Sequence, residues 1–176
     1  MDRAPEAASP SWGYNLRRNL GGSFTARARG FLATEFALLS TNGEEFGRLR
    51  LRGTSSAQFE SGSHATGFGV SKKRYRMVAD GEQVLVAGPK GRSIDVLEIS
   101  CDGRTYEAGV GLFRNRAIAH GPGGERVARL SGGLMGRRYE ALFAAEDGCA
   151  FPIAVFLLWH VAANRRRAYR AGNLPR

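Results

Sequence analysis

FPIAVFLLWHVAA, residues 151–163, decides the fold. Apart from His160 the run is apolar on every side. Pro152 suits the first helical position, Glu146 and Asp147 precede it near the positive end of a helix dipole, and the following NRRRAYR puts arginines at the negative end. A helix with no polar face is buried in protein or sits in a membrane. At about 1.5 Å per residue the run reaches about 20 Å, short of a hydrocarbon core of about 30 Å. The segment is therefore predicted to be a core helix near residues 152–168, and the rest of the chain has to enclose it.

What precedes the helix is written as hairpins. FLATEFALL reaches Asn42-Gly43 before EEFGRLRLR, RYRMVA reaches Asp80-Gly81 before EQVLVA, and IDVLEIS reaches Asp102-Gly103 before RTYEAGV. Asx-Gly between apolar runs is a strong short-range hairpin signal, because both turn residues adopt positive φ at little cost. GLFRNRAIA and ERVARL flank a further turn at 120–124, and RRYEALFA ends at Glu146, Asp147 and Gly148. Nine to eleven strands follow directly from this punctuation.

Alternation assigns the faces. Leu49 and Leu51 alternate with Arg48, Arg50 and Arg52; Tyr75 and Met77 with Arg74 and Arg76; Tyr106, Ala108 and Val110 with Thr105, Glu107 and Gly109; Tyr139, Ala141 and Phe143 with Arg138 and Glu140. Successive strand side chains point to opposite faces, so each set is one packed face and one wet face. Residues 53–69, rich in Ser, Thr and Gly, break the rhythm and are expected to form a long loop around a short strand at 57–60. Residues 1–30 are expected to be a flexible arm, in which Trp12, Tyr14 and Leu16, at a period of two, could lie along a groove. Residues 172–176 are a tail.

The closing run RYEALFAAEDGCAFPIAVFLLWHVAA, together with FALLSTNGEEFGRLRL and RYRMVADGEQVLVA, resembles the tubby C-terminal-like superfamily, which includes the tubby domains, the LURP-one-related proteins and the phospholipid scramblases. The likeness covers roughly residues 31–171. It implies an all-β closed antiparallel barrel of about twelve strands around a buried apolar C-terminal helix. Closure removes exposed sheet edges, and a large barrel needs an apolar filling. Tubby domains bind phosphoinositides through basic residues, but no position-by-position match exists here, so the resemblance carries fold and not activity.

Function has to come from the residues. The chain of 176 residues has 26 Lys+Arg against 16 Asp+Glu, a formal net charge of +10. That surplus favours anionic partners, although a GC-rich coding bias also yields an arginine-rich chain. Only Lys72, Lys73 and Lys90 are lysines. Cys101 and Cys149 lie far apart with no CxxC, so neither a zinc site nor a disulfide framework is indicated, and a reducing compartment is the default. Without a secretory-type apolar core near the start or a spanning segment, the expected location is cytoplasmic, peripheral at a membrane.

His64, His120 and His160 have no nucleophile motif beside them, and HGPGGERVARL lacks the Lys-Ser/Thr pair of a phosphate loop. No catalytic residue, metal site or cofactor is assigned. The candidate anion-binding residues are Arg48, Arg50 and Arg52 on one strand face, Lys72, Lys73, Arg74 and Arg76 on another, and Arg114 and Arg116 with the same spacing. The expected function is a non-enzymatic binding domain for anionic lipid or phosphate-bearing ligands. The alternatives are a nucleic-acid-binding protein using the same faces, or a small-molecule enzyme with no recognisable motif.

Overall fold

The computed structural model describes residues 13–30, 32–62, 64–92, 95–111 and 114–172, with Tyr14 described by its backbone alone. A short helix α1 (Tyr14–Leu20) leads into twelve strands: β1 (Ser23–Arg29), β2 (Glu35–Leu39), β3 (Glu45–Arg52), β4 (Ser56–Ser61), β5 (His64–Ser71), β6 (Arg74–Ala79), β7 (Glu82–Pro89), β8 (Val96–Cys101), β9 (Arg104–Gly111), β10 (Arg116–His120), β11 (Arg126–Gly132) and β12 (Arg138–Phe143). Helix α2 (Ala150–Arg170) ends the described chain. Each strand pairs antiparallel with the next, and β12 returns to β1 with Phe24 opposite Ala141 and Ala26 opposite Tyr139, so the barrel is closed.

The alternation read from the sequence gives the walls their two faces. Leu49, Leu51, Met77, Tyr106, Ala108, Val110, Tyr139, Ala141 and Phe143 are all buried. The Asp80-Gly81 and Asp102-Gly103 turns have positive φ at both residues, 52° and 81° in the first and 50° and 68° in the second, as a two-residue hairpin that follows the strand twist requires. Helix α2 fills the interior and is buried from Ala150 to Ala163. Phe151 packs against Phe24 and Phe143, while Trp159 packs against Phe68 and Tyr75. No helix among the described residues is long and apolar enough to cross a membrane.

Several expectations are corrected. Residues 53–69 hold the whole of β4 and most of β5, because Ala57, Phe59, Thr66 and Phe68 alternate inward while Gln58, Gly67 and Gly69 alternate outward; small outward residues had hidden a complete period of two. The barrel also starts earlier than residue 31, since β1 lies within the stretch expected to be an arm and closes the sheet. Tyr14 and Leu16 belong to a helix rather than an alternating strand, with Leu16 and Leu20 packed against the core at a spacing of four; Trp12 lies outside the described residues. Pro152 is the third helical residue, still within the first turn, where no amide donor is needed. Finally, Cys101 and Cys149 form a disulfide, with Cα atoms 6.1 Å apart. Their spacing could not reveal it, because only barrel closure brings the end of β8 to the start of α2.

Candidate functional site

Because every neighbouring pair is antiparallel, successive connections alternate between the two ends of the barrel. One end holds the connections at 40–44, 62–63, 80–81, 102–103, 121–125 and 144–149, which carry Glu44, Asp80, Asp102, Glu125, Glu146 and Asp147 and no Lys or Arg. The other holds 30–34, 53–55, 72–73, 90–95, 112–115 and 133–137, which carry Lys72, Lys73, Lys90, Arg92, Arg114 and Arg137 against Asp95 alone. Helix α2 enters at the acidic end and leaves at the basic one. There Arg167 donates to the Thr54 carbonyl at 2.6 Å and Arg165 donates to the Leu134 carbonyl. The barrel is thus a bipolar body, oriented so that each rim complements the helix terminus it surrounds.

The acidic end is tied down. Asp147 accepts from the Cys149 amide at 2.7 Å, from Arg104 at 3.1 Å and from the Tyr106 hydroxyl at 3.1 Å. Burial is the main reason the Tyr106 phenol is held above its usual range, with the Asp147 charge next. The disulfide fixes the same corner.

Of the nine candidate residues, the structure separates three groups. Arg48 and Arg50 lie on the outer wall in a charge-balanced lattice: Arg48 bonds Glu45, Arg50 bonds Glu35 at 2.9 Å and approaches Glu60 at 3.8 Å, and Arg29 joins Glu45 and Glu35. The bond from Arg48 holds the Glu45 carboxyl below its ordinary value. Arg52, at the strand end, donates to Gln58 at 2.6 Å. Arg114 and Arg116 stand at the basic end on the β9–β10 side, two connections around the rim from Lys72 and Lys73.

Lys72, Lys73 and Arg74 form the third group. With Arg92, which the strand pattern did not single out, they line a groove of about 590 Å³ on the outer wall across β6, β7 and β8. None of these four has an ion pair among the described residues, and Glu98 is the only carboxylate lining the groove. Gly88 lies opposite Glu98 in the ladder, and Val86 lies opposite Ser100 and Arg76. A glycine at the centre of the floor leaves the space between Arg74 and Glu98 unfilled. Arg76 is one row further along the same wall. The turn itself is unusual, since Lys72 and Lys73 adopt φ of 48° and 64°. Left-handed backbone is uncommon for residues other than Gly, Asn and Asp, and it is strained for lysine.

The arrangement suits electrostatic capture of an anion and holds no acid–base pair beside a nucleophile. Among the described residues no three His, Cys, Asp or Glu side chains converge as a metal site. His160 sits in the core, its Nε2 3.1 Å from the Asn164 amide and its ring against Tyr75. Burial, with the charge of Arg167 second, pushes its imidazole down to about 4.

No protein-family model matches this chain, and no curated protein matches it significantly. A solved structure of a protein from Arabidopsis thaliana has a similar fold, with a TM-score of 0.54 at 11% sequence identity, covering 78% of this chain and 90% of that one. At that identity the likeness shows the fold alone.

Proposed function

We propose that this chain is a tubby-like barrel serving as a non-enzymatic binding domain for phosphate-bearing anions, received at its basic end. One observation carries the reading. Lys72, Lys73, Arg74 and Arg92 converge on one groove with no ion pair among the described residues and with Glu98 as its one lining carboxylate, whereas Arg48 and Arg50 are already neutralised. Cations held close together without counter-charges raise the local potential, and an anion bridging them relieves their mutual repulsion. The strained lysine turn supports the same reading, because strain of this kind clusters at functional sites. Among the described residues no aromatic side chain lines the groove, so they offer no stacking face for a base. Membership of the tubby C-terminal-like superfamily is part of the proposal, supported by the closed twelve-strand barrel around an apolar helix.

Calorimetric titration with inorganic pyrophosphate tests it. The parent protein is expected to bind, more weakly as salt is raised from about 50 to about 200 mM. Replacing Lys72, Lys73 and Arg74 together by Ala is expected to weaken binding about tenfold or more, while the Arg48→Ala, Arg50→Ala pair leaves it within about twofold. Absence of binding by the parent, or equal losses in the two variants, overturns the proposal.

A further inference from the structure

Across the rim from the groove, the basic end carries an apolar feature. Leu32, in the β1–β2 connection, is 72% exposed; Leu134 and Met135, in the β11–β12 connection, are 93% and 69% exposed. Single exposed apolar residues need no explanation, but the three most exposed large apolar residues among those described, in two adjoining connections, do. The two connections are neighbours because β1 pairs with both β2 and β12. They are also braced: Arg137 donates to the Gly30 carbonyl at 2.9 Å, and the Ala28 amide donates to the Arg137 carbonyl at 2.7 Å. Arg165 donates to the Leu134 carbonyl and to the Tyr169 hydroxyl, the latter at 2.8 Å. The backbone is thus held so that the three side chains project outward.

We propose that Leu32, Leu134 and Met135 form a wedge that enters the headgroup and acyl boundary of an anionic membrane, with the surrounding arginines on lipid phosphates. The chemistry of the surroundings selects this occupant. Arg137 and Arg165 flank the wedge, and the same rim carries Arg114 and the groove lysines. A second copy meeting this end would bring like charge against like charge. An anionic bilayer offers negative headgroups around an apolar interior, which is the complement of an apolar tip ringed by cations. The inference builds on the anion-binding reading of this end and commits its anion to a lipid headgroup. Docking on the rim brings the rim residues of the groove, Lys72, Lys73 and Arg92, to the same membrane as the wedge.

Co-sedimentation with vesicles tests it, using phosphatidylcholine alone and phosphatidylcholine with about 30% phosphatidylserine. The parent chain is expected to bind the anionic vesicles only, and less at high salt. Replacing Leu32, Leu134 and Met135 by Ser lowers that partition about tenfold without touching the core, while Leu134→Trp, a better interfacial anchor, raises it. Pyrophosphate titration of the same variants separates the two claims. Unchanged pyrophosphate binding with equal vesicle binding by parent and Ser variant overturns the wedge and leaves the groove reading standing. Wedge-dependent vesicle binding without any pyrophosphate binding upholds the wedge and removes the groove reading. Equal binding to neutral and anionic vesicles, or a parent dimer that the Ser variant abolishes with no change in vesicle binding, also overturns it.

Discussion

The two ends of this barrel are joined by the same strands and the same helix, yet they are built to different standards. At the acidic end two of the tight turns are Asp-Gly, the helix start is held by Asp147 and a disulfide, and Leu16 and Leu20 of α1 pack against the core. At the basic end one hairpin turns on two lysines in left-handed backbone, large apolar side chains are exposed, and cations face a groove with no ion pair among the described residues. A fold that uses low-strain turns at one end and forgoes them at the other is what the proposed binding role predicts, with stability and binding kept in separate places. The acidic end is braced by the disulfide and Asp147, and the basic end is where the proposed anion is received.

The comparison depends on the helix that links the ends, so the largest effect is expected there. Leu157 is fully buried, and Leu157→Asp places an unpaired charge in the barrel interior, at about 4 kcal/mol or more. Circular dichroism melts should show a protein that no longer unfolds cooperatively. A variant melting like the parent breaks the core assignment and the link between the ends.

Next comes the disulfide, which spans 48 positions. The chain-entropy treatment gives about 4 kcal/mol for a loop of that size, near the top of the usual range. Replacing Cys101 and Cys149 together by Ala should lower stability by about 3–4 kcal/mol in denaturant titration, with pyrophosphate affinity unchanged because the bond lies at the opposite end. A loss of affinity in the folded variant shows that the ends are coupled.

Acid should act through His160. An exposed imidazole titrates near 6.5, whereas burial holds this one at about 4. Between those values the unfolded chain takes up a proton that the folded chain does not. The contribution is therefore full above pH 6.5 and is lost as pH falls towards 4, amounting to about 3 kcal/mol. Denaturant midpoints measured from pH 7 to 5 should fall, and His160→Gln should flatten the slope.

Smaller effects sharpen the contrast in turn chemistry. Replacing Lys72-Lys73 by Asn-Gly supplies the residues that this geometry favours, and should raise stability by about 1 kcal/mol while lowering pyrophosphate affinity. Stability and binding moving in opposite directions would mark the turn as shaped for binding. Arg50→Ala should change stability by only about 0.5 kcal/mol, since the arginine and its partners are only partly buried and remain open to solvent screening.

The architecture was legible where local chemistry dictates it. The apolar run at 151–163 required enclosure, Asn42-Gly43, Asp80-Gly81 and Asp102-Gly103 fixed hairpins, and alternation placed Leu49 and Tyr106 inward. It failed where the signal was small side chains, as at Thr66, Gly67 and Gly69 in β5, or required closure, as for Cys101 and Cys149. The site was partly legible. Lys72, Lys73 and Arg74 were visible as a basic run, but whether Arg48 and Arg50 were free depended on Glu35, Glu45 and Glu60, which only strand pairing brings alongside. Arg92 was missed because no basic run or alternating arginine stands beside it. A usable signal did exist: in an up-and-down meander the connections fall alternately at the two ends, and reading every second one collects Lys72, Lys73, Lys90, Arg92, Arg114 and Arg137 in one set.

The most direct test of an anion-binding basic end is to locate the ligand. In amide NMR spectra titrated with inorganic pyrophosphate, the account predicts saturable shifts at Lys72, Lys73, Gly91 and Arg92, with Asp80, Asp102 and Gly124 unmoved at the far end. Shifts centred on the acidic turns or on the paired arginines of β3, or no saturable shift at all, would contradict it.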